Sequence, residues 1–171
     1  MKDFTNDVID TSQLPKFEEV DFSVLHPNYW KVTLINLMVL FLIIGVIIGV
    51  VLFYNEDLSD FVTEIYLLYM ILAFLVLFIS RLSFMKKRFA FRNHDLLFRY
   101  GIIATNTHVI PYNRIQHVSI NEGMISRFFG LANLEIFTAG GGSSDIEIPG
   151  LAKIQAENIK QLLMGKIQKQ L

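Results

Sequence analysis

The stretch VTLINLMVLFLIIGVIIGVVLFYN, Val32 to Asn55, carries no charged residue. As a helix it would reach about 36 Å, more than the roughly 30 Å of a bilayer's hydrocarbon core. A backbone surrounded by lipid must satisfy its own hydrogen bonds, so this length of apolar chain predicts a transmembrane helix. A second apolar stretch, Ile65 to Ser80, lies between Glu64 and Arg81 and predicts a return span. These two blocks explain why a chain of 171 residues is 53% hydrophobic and only 18% charged.

Charge sets the expected orientation. The link between the spans holds Glu56, Asp57 and Asp60 and no basic residue, whereas Arg81, Lys86, Lys87 and Arg88 follow the second span. Lys and Arg are retained on the cytoplasmic side, so both termini are expected inside an inner membrane and the acidic link outside. Tyr29 and Trp30, just ahead of the first span, are expected to anchor it at the headgroup layer. Residues 1–31 are acidic and the apolar block begins late and runs long, which argues against a cleaved signal peptide. With no cysteine, disulfide and thiolate chemistry are excluded.

Beyond Lys87 the pattern changes to short alternating runs. Phe89 and Phe91 share one face, as do Leu96, Phe98 and Tyr100, and Ile146 and Ile148 oppose Asp145 and Glu147. Further strands are expected at Thr107–Pro111, Ile115–Asn121 and Leu134–Thr138. From Ala152 the periodicity becomes helical, with Ala156, Ile159, Leu163 and Ile167 on one side. The expected organisation is an acidic segment over 1–28, a helical hairpin over 29–85, and over 86–168 a small antiparallel β-barrel or sandwich capped by a helix.

The runs IPYNRIQHVSINEG, SRFFGLANLEIFTAGG and IEIPGL follow two membrane helices and a leading LHPNYW. In that order they resemble the bacterial PH-domain membrane protein family, YdbS-like, across most of residues 25–165. The resemblance implies a pleckstrin-homology-like fold closed by a C-terminal helix and brings no catalytic residues. It also implies a larger, multi-PH membrane protein as partner.

Glycine-rich Gly140–Ser144 lacks the lysine and hydroxyl that a phosphate loop needs, with Asp145 where the cation should stand, and is expected to be a hairpin connection. His26, His94, His108 and His117 show no metal-ligand spacing, Ser143 and Ser144 have no base partner in sequence, and no cofactor or metal is expected. Asn36 and Glu64 are too few for a transport path. Eukaryotic PH domains hold phosphoinositides on basic residues between their first two strands; here that connection is RNHD, with Arg92 and little else.

Two features suit contact with another protein or with self. Gly45 and Gly49 form a GxxxG that lets a helix approach closely, either a partner's or the second helix of the same hairpin. Met124, Ile125, Phe128 and Phe129, with Arg127, cluster at helical spacing; they either plug the domain or face a partner or the bilayer. Lys86, Lys87 and Arg88 are candidate contacts to anionic membrane lipid. The expected function is therefore a non-enzymatic subunit or scaffold of an inner-membrane complex, the alternative being an anionic-lipid-binding or envelope-stress module. No nucleic-acid partner is expected.

Overall fold

The computed structural model describes residues 20–139 and 146–168. Pro27 opens helix α1 (Pro27–Tyr54), and its fixed φ suits the first helical position. The His26 side chain accepts a hydrogen bond from the Asn28 N–H at 3.2 Å and caps that end. A 3-10 turn, Glu56–Phe61, reverses the chain into helix α2 (Val62–Lys86). Val32 is the one buried residue of the two helices, while Met38, Leu42, Leu67 and Phe74 stand outward. Apolar side chains in that arrangement lie exposed for lipid to cover.

The helices touch through few but specific contacts. The Tyr69 hydroxyl donates to the Phe41 carbonyl, and the two rings meet edge-on at 6.4 Å. Gly45 and Gly49 complete the approach: a Cβ on Gly45 would stand 3.4 Å from the Tyr69 hydroxyl, and one on Gly49 3.1 Å from that of Tyr66. Small residues are what let this tyrosine pair lie close to the opposing backbone.

After α2 come β2 (Arg88–Phe91), β3 (Asp95–Tyr100), β4 (Asn106–Pro111), β5 (Ile115–Asn121), the short helix α3 (Met124–Phe128), β6 (Leu131–Thr138), β7 (Ile146–Ala152) and helix α4 (Lys153–Gln168). Two antiparallel sheets result, β5-β6-β7 and a second that joins β2, β3 and β4 to a strand from elsewhere, β1 (Ser23–Val24). β1 precedes the first membrane helix, yet Ser23 pairs with Phe89 and Val24 with Arg88, beyond the second. Each sheet turns an apolar face inward, and Leu96, Leu134, Ile136 and Ile148 are fully buried between them. The described strands form two open sheets, the sandwich form of the expected PH-like fold. Ala156 and Leu163 of α4 are also fully buried in this core, as the helical periodicity predicts. The expected Gly140–Ser144 connection between β6 and β7 lies outside the described residues.

Alternation along β2 and β3 predicts Ala90 and Leu97 on a solvent face, but both are buried. That face is not open to water: α2 borders β3, and Phe22, just ahead of β1, lies over the Arg99 guanidinium at 4.2 Å. A positive charge held on an aromatic face is electrostatically favourable.

The tightest contact between the domain and the hairpin is at Gly150. Gly150 of β7 has φ +63°, and a Cβ there would come within 2.3 Å of Tyr29 Cγ. The Gly150 carbonyl accepts from the His26 N–H at 3.1 Å, and its own N–H donates to the Asn133 side chain at 3.1 Å. Gly130 has a similar φ of +65° but open space around it. Gly150→Ala is therefore expected to cost about 3 kcal/mol, left-handed strain plus overlap with Tyr29, and Gly130→Ala about 1 kcal/mol from strain alone. Thermal unfolding of the two variants in detergent tests this, and equal losses in Tm would contradict it.

Candidate functional site

The end of the hairpin that carries the domain concentrates most of the charged and aromatic residues singled out by sequence. Tyr29 and Trp30 sit in the first turn of α1, where Phe84 of α2 faces them at ring distances of 6.2 and 6.0 Å. Arg81, one turn earlier on α2, lies over Trp30 at 5.0 Å and Phe84 at 5.4 Å. Tyr29 belongs to the seam with the domain, packed against its core, while Trp30 faces a cleft of about 560 Å³. Lys31, Arg81, Lys87 and Arg88 line that cleft with Trp30 and Phe84.

The basic run after α2 does not act as one patch. Lys86 is exposed at the helix end and outside the cleft lining, whereas Lys87 is partly buried and Arg88 begins β2. Burial holds the Lys87 ammonium below its usual range, an effect that the nearby Glu147 carboxylate partly opposes. Glu147 in turn accepts from the Asn133 side chain at 2.8 Å, and Asn133 also receives the Gly150 N–H. This short network ties the seam to the rim of the cleft.

Arg92, the basic residue between the first two strands of the domain, is committed elsewhere. Its guanidinium pairs with Asp95 in a two-pronged contact, which raises its affinity for the proton, and the Tyr112 hydroxyl donates to the Arg92 carbonyl at 2.6 Å. The turn is thus neutralised internally, and the phosphoinositide-binding position of eukaryotic PH domains has no free cation in this loop.

The GMISRFFG cluster is split. Met124 and Phe128 of α3 are 83% and 87% exposed, while Ile125 and Phe129, the residue just after the helix, are half-buried, so the two phenylalanines do not both plug the domain. Arg127 is exposed beside Phe128, and with Glu122 and Met124 they line an open groove of about 810 Å³. α3 lies against α1, which puts this surface next to the membrane helix. Gly45 and Gly49, by contrast, face Tyr69 and Tyr66 of the same hairpin. Their close approach is made within the chain, to the second helix of the same hairpin, one of the two roles expected of the motif.

Among the described residues no three His, Asp or Glu side chains converge as a metal site. His108 instead bonds the Tyr100 hydroxyl at 3.1 Å and stacks on its ring, and His117 packs on Phe137. Sequence reasoning missed the cleft because Lys31 and Arg81 belong to different helices, and Arg81 reads locally only as the edge of a span. Its spacing of three from Phe84, one helical turn, is the one local signal that the two share a face.

A membrane-spanning hairpin carrying a two-sheet domain capped by a helix is the class that this architecture defines. The model of the bacterial PH domain matches residues 32–167, and the chain belongs to that family. It is also similar to the UPF0699 transmembrane protein YdbT of Bacillus subtilis strain 168, with 32% identity over 83 residues, 47% of this chain. The match spans 17% of the length of YdbT, so this chain corresponds to a small part of that protein. No solved structure matches.

Trp30 is the single tryptophan of the chain, which makes the depth of the seam measurable. In vesicles its fluorescence is expected to be quenched more by lipids brominated near the headgroup than by lipids brominated at the chain terminus. The reverse order would place the seam inside the hydrocarbon core and contradict the interfacial anchor.

Proposed function

We propose that this protein is a non-catalytic docking subunit of an inner-membrane complex, its PH-like domain held on the cytoplasmic face by the hairpin. The observation that carries the reading is the pair Met124 and Phe128, two large apolar side chains left exposed on a helix packed beside α1. Isolated exposed apolar residues are ordinary, but this pair lines a groove with Arg127 and Glu122 at the rim, the composition of a protein contact. The occupant proposed is a larger membrane protein carrying PH-like domains of its own, as the resemblance to the bacterial PH-domain membrane proteins implies.

Orientation is supported by charge. Lys31, Arg81, Lys86, Lys87 and Arg88 stand at the domain end of the hairpin, and Glu56, Asp57 and Asp60 at the other. Restricting the domain to the membrane plane raises its effective concentration toward any partner in the same bilayer.

Extraction of the native membrane in mild detergent, followed by mass spectrometry of the intact particle, tests the reading. A particle heavier than the 19.7 kDa chain and containing a second membrane protein is expected. Phe128→Asp should release that protein, with the helix content of the chain unchanged. A bare monomer, or a complex indifferent to Phe128→Asp, would overturn the proposal.

A further inference from the structure

The cleft between Trp30 and Arg88 has the chemistry of a binding site in its own right. Lys31, Arg81, Lys87 and Arg88 bring four cationic side chains to its walls, from α1, α2, the junction and β2, and no carboxylate lines it. No ion pair among the described residues involves any of the four. Arg81 is held by two ring faces, and among the described residues no acceptor takes its fork of N–H donors. A planar fork of that kind is suited to the oxygens of a phosphate. The ammonium of Lys87, which also borders Glu147 on the far side of the cleft wall, is disfavoured by burial that this carboxylate offsets only in part, so a second anion in the cleft would favour it further.

Depth selects the form of that phosphate. α1 has 28 residues and α2 has 25, so each helix is about 37 to 42 Å long and overhangs a hydrocarbon core of about 30 Å at its ends. Trp30 in the first turn of α1 falls in that overhang, and Arg81 immediately follows the uncharged stretch of α2 that ends at Ser80, which puts both near the level of the headgroups. Apolar Phe84 and Met85 line the same cleft, which a diacylglycerol backbone can follow toward the acyl chains. A cavity of about 560 Å³ is of ligand size.

We propose that this cleft binds the phosphate of one anionic phospholipid, gripped by Arg81 and Lys31 across the two membrane helices and by Lys87 and Arg88 from the start of the domain. The site is distinct from the Arg92 turn, and it stands independently of any protein partner at Met124 and Phe128. Occupancy would link both helices to the first strand of the domain through one molecule.

Native mass spectrometry of the purified full-length protein, with phosphatidylglycerol or phosphatidylcholine added in detergent, tests it. Phosphatidylglycerol adducts are expected to exceed phosphatidylcholine adducts, and removing each charge by Arg81→Gln or Lys31→Gln should lower their occupancy about fivefold. Arg114→Gln, an exposed change outside the cleft lining, should leave occupancy unaltered. Lys31→Gln with Arg88→Gln, both at exposed positions, gives a second test should Arg81→Gln fail to fold. Millimolar inorganic phosphate that leaves the adduct in place supports the lipid source. Displacement of the lipid by inorganic phosphate would overturn that source in favour of a free anion. Equal adducts of the two lipids, or a folded Lys31→Gln and Arg88→Gln variant that retains phosphatidylglycerol undiminished, would overturn the site itself.

Discussion

The seating of Gly150 on the ring of Tyr29 is the contact on which the placement of the domain depends. Helices in lipid gain no hydrophobic stabilisation from meeting one another, so a two-helix hairpin alone is a loose platform. In this chain the hairpin is held by Tyr66 and Tyr69 against two glycines and one cross-helix hydrogen bond. Water surrounds the other end, and there the full hydrophobic effect returns: Leu25, Tyr29 and Phe84 pack on the core of the domain. The strongest joint in the molecule therefore lies at the membrane boundary, not within the membrane.

That joint also aligns the two candidate surfaces. Because the domain is fixed to α1 through His26, Tyr29 and Gly150, the Met124 and Phe128 surface has a set relation to the bilayer. The cationic cleft occupies the same level, between the helix ends and β2. Protein contact and lipid contact would thus be read by one rigid body, and a change at either would be felt at the seam.

Much of this was legible in the sequence. The spans follow from length and absence of charge, and the runs around Phe89, Leu96 and Ile146 follow from a period of two. The bacterial PH-domain resemblance rests on its RIQ, FGL and TAGG order, and the family match agrees with it. What escaped reading was non-local. β1 is only Ser23–Val24, both exposed, with no alternation to betray it. Ala90 and Leu97 read as outward-facing until the segment carrying Phe22 and the end of α2 are placed beside their sheet. The two roles open to the GxxxG could be separated only by seeing which tyrosines lie on it, since the motif specifies closeness and not the identity of the neighbour.

The pairing of β1 with β2 carries a consequence for how the protein is made. Val24 leaves the ribosome long before Arg88, and the whole hairpin is synthesised between them. A contact of such sequence separation closes late, because the intervening chain must first be ordered. Here that ordering is insertion of both helices with their ends side by side on one face of the bilayer. A chain whose second helix failed to return would leave Ser23 and Val24 on the wrong side of the membrane from Arg88 and Phe89. Completion of the sheet therefore requires both helices to have crossed, and a misinserted chain would keep an unpaired edge on β2, open to pairing with other chains.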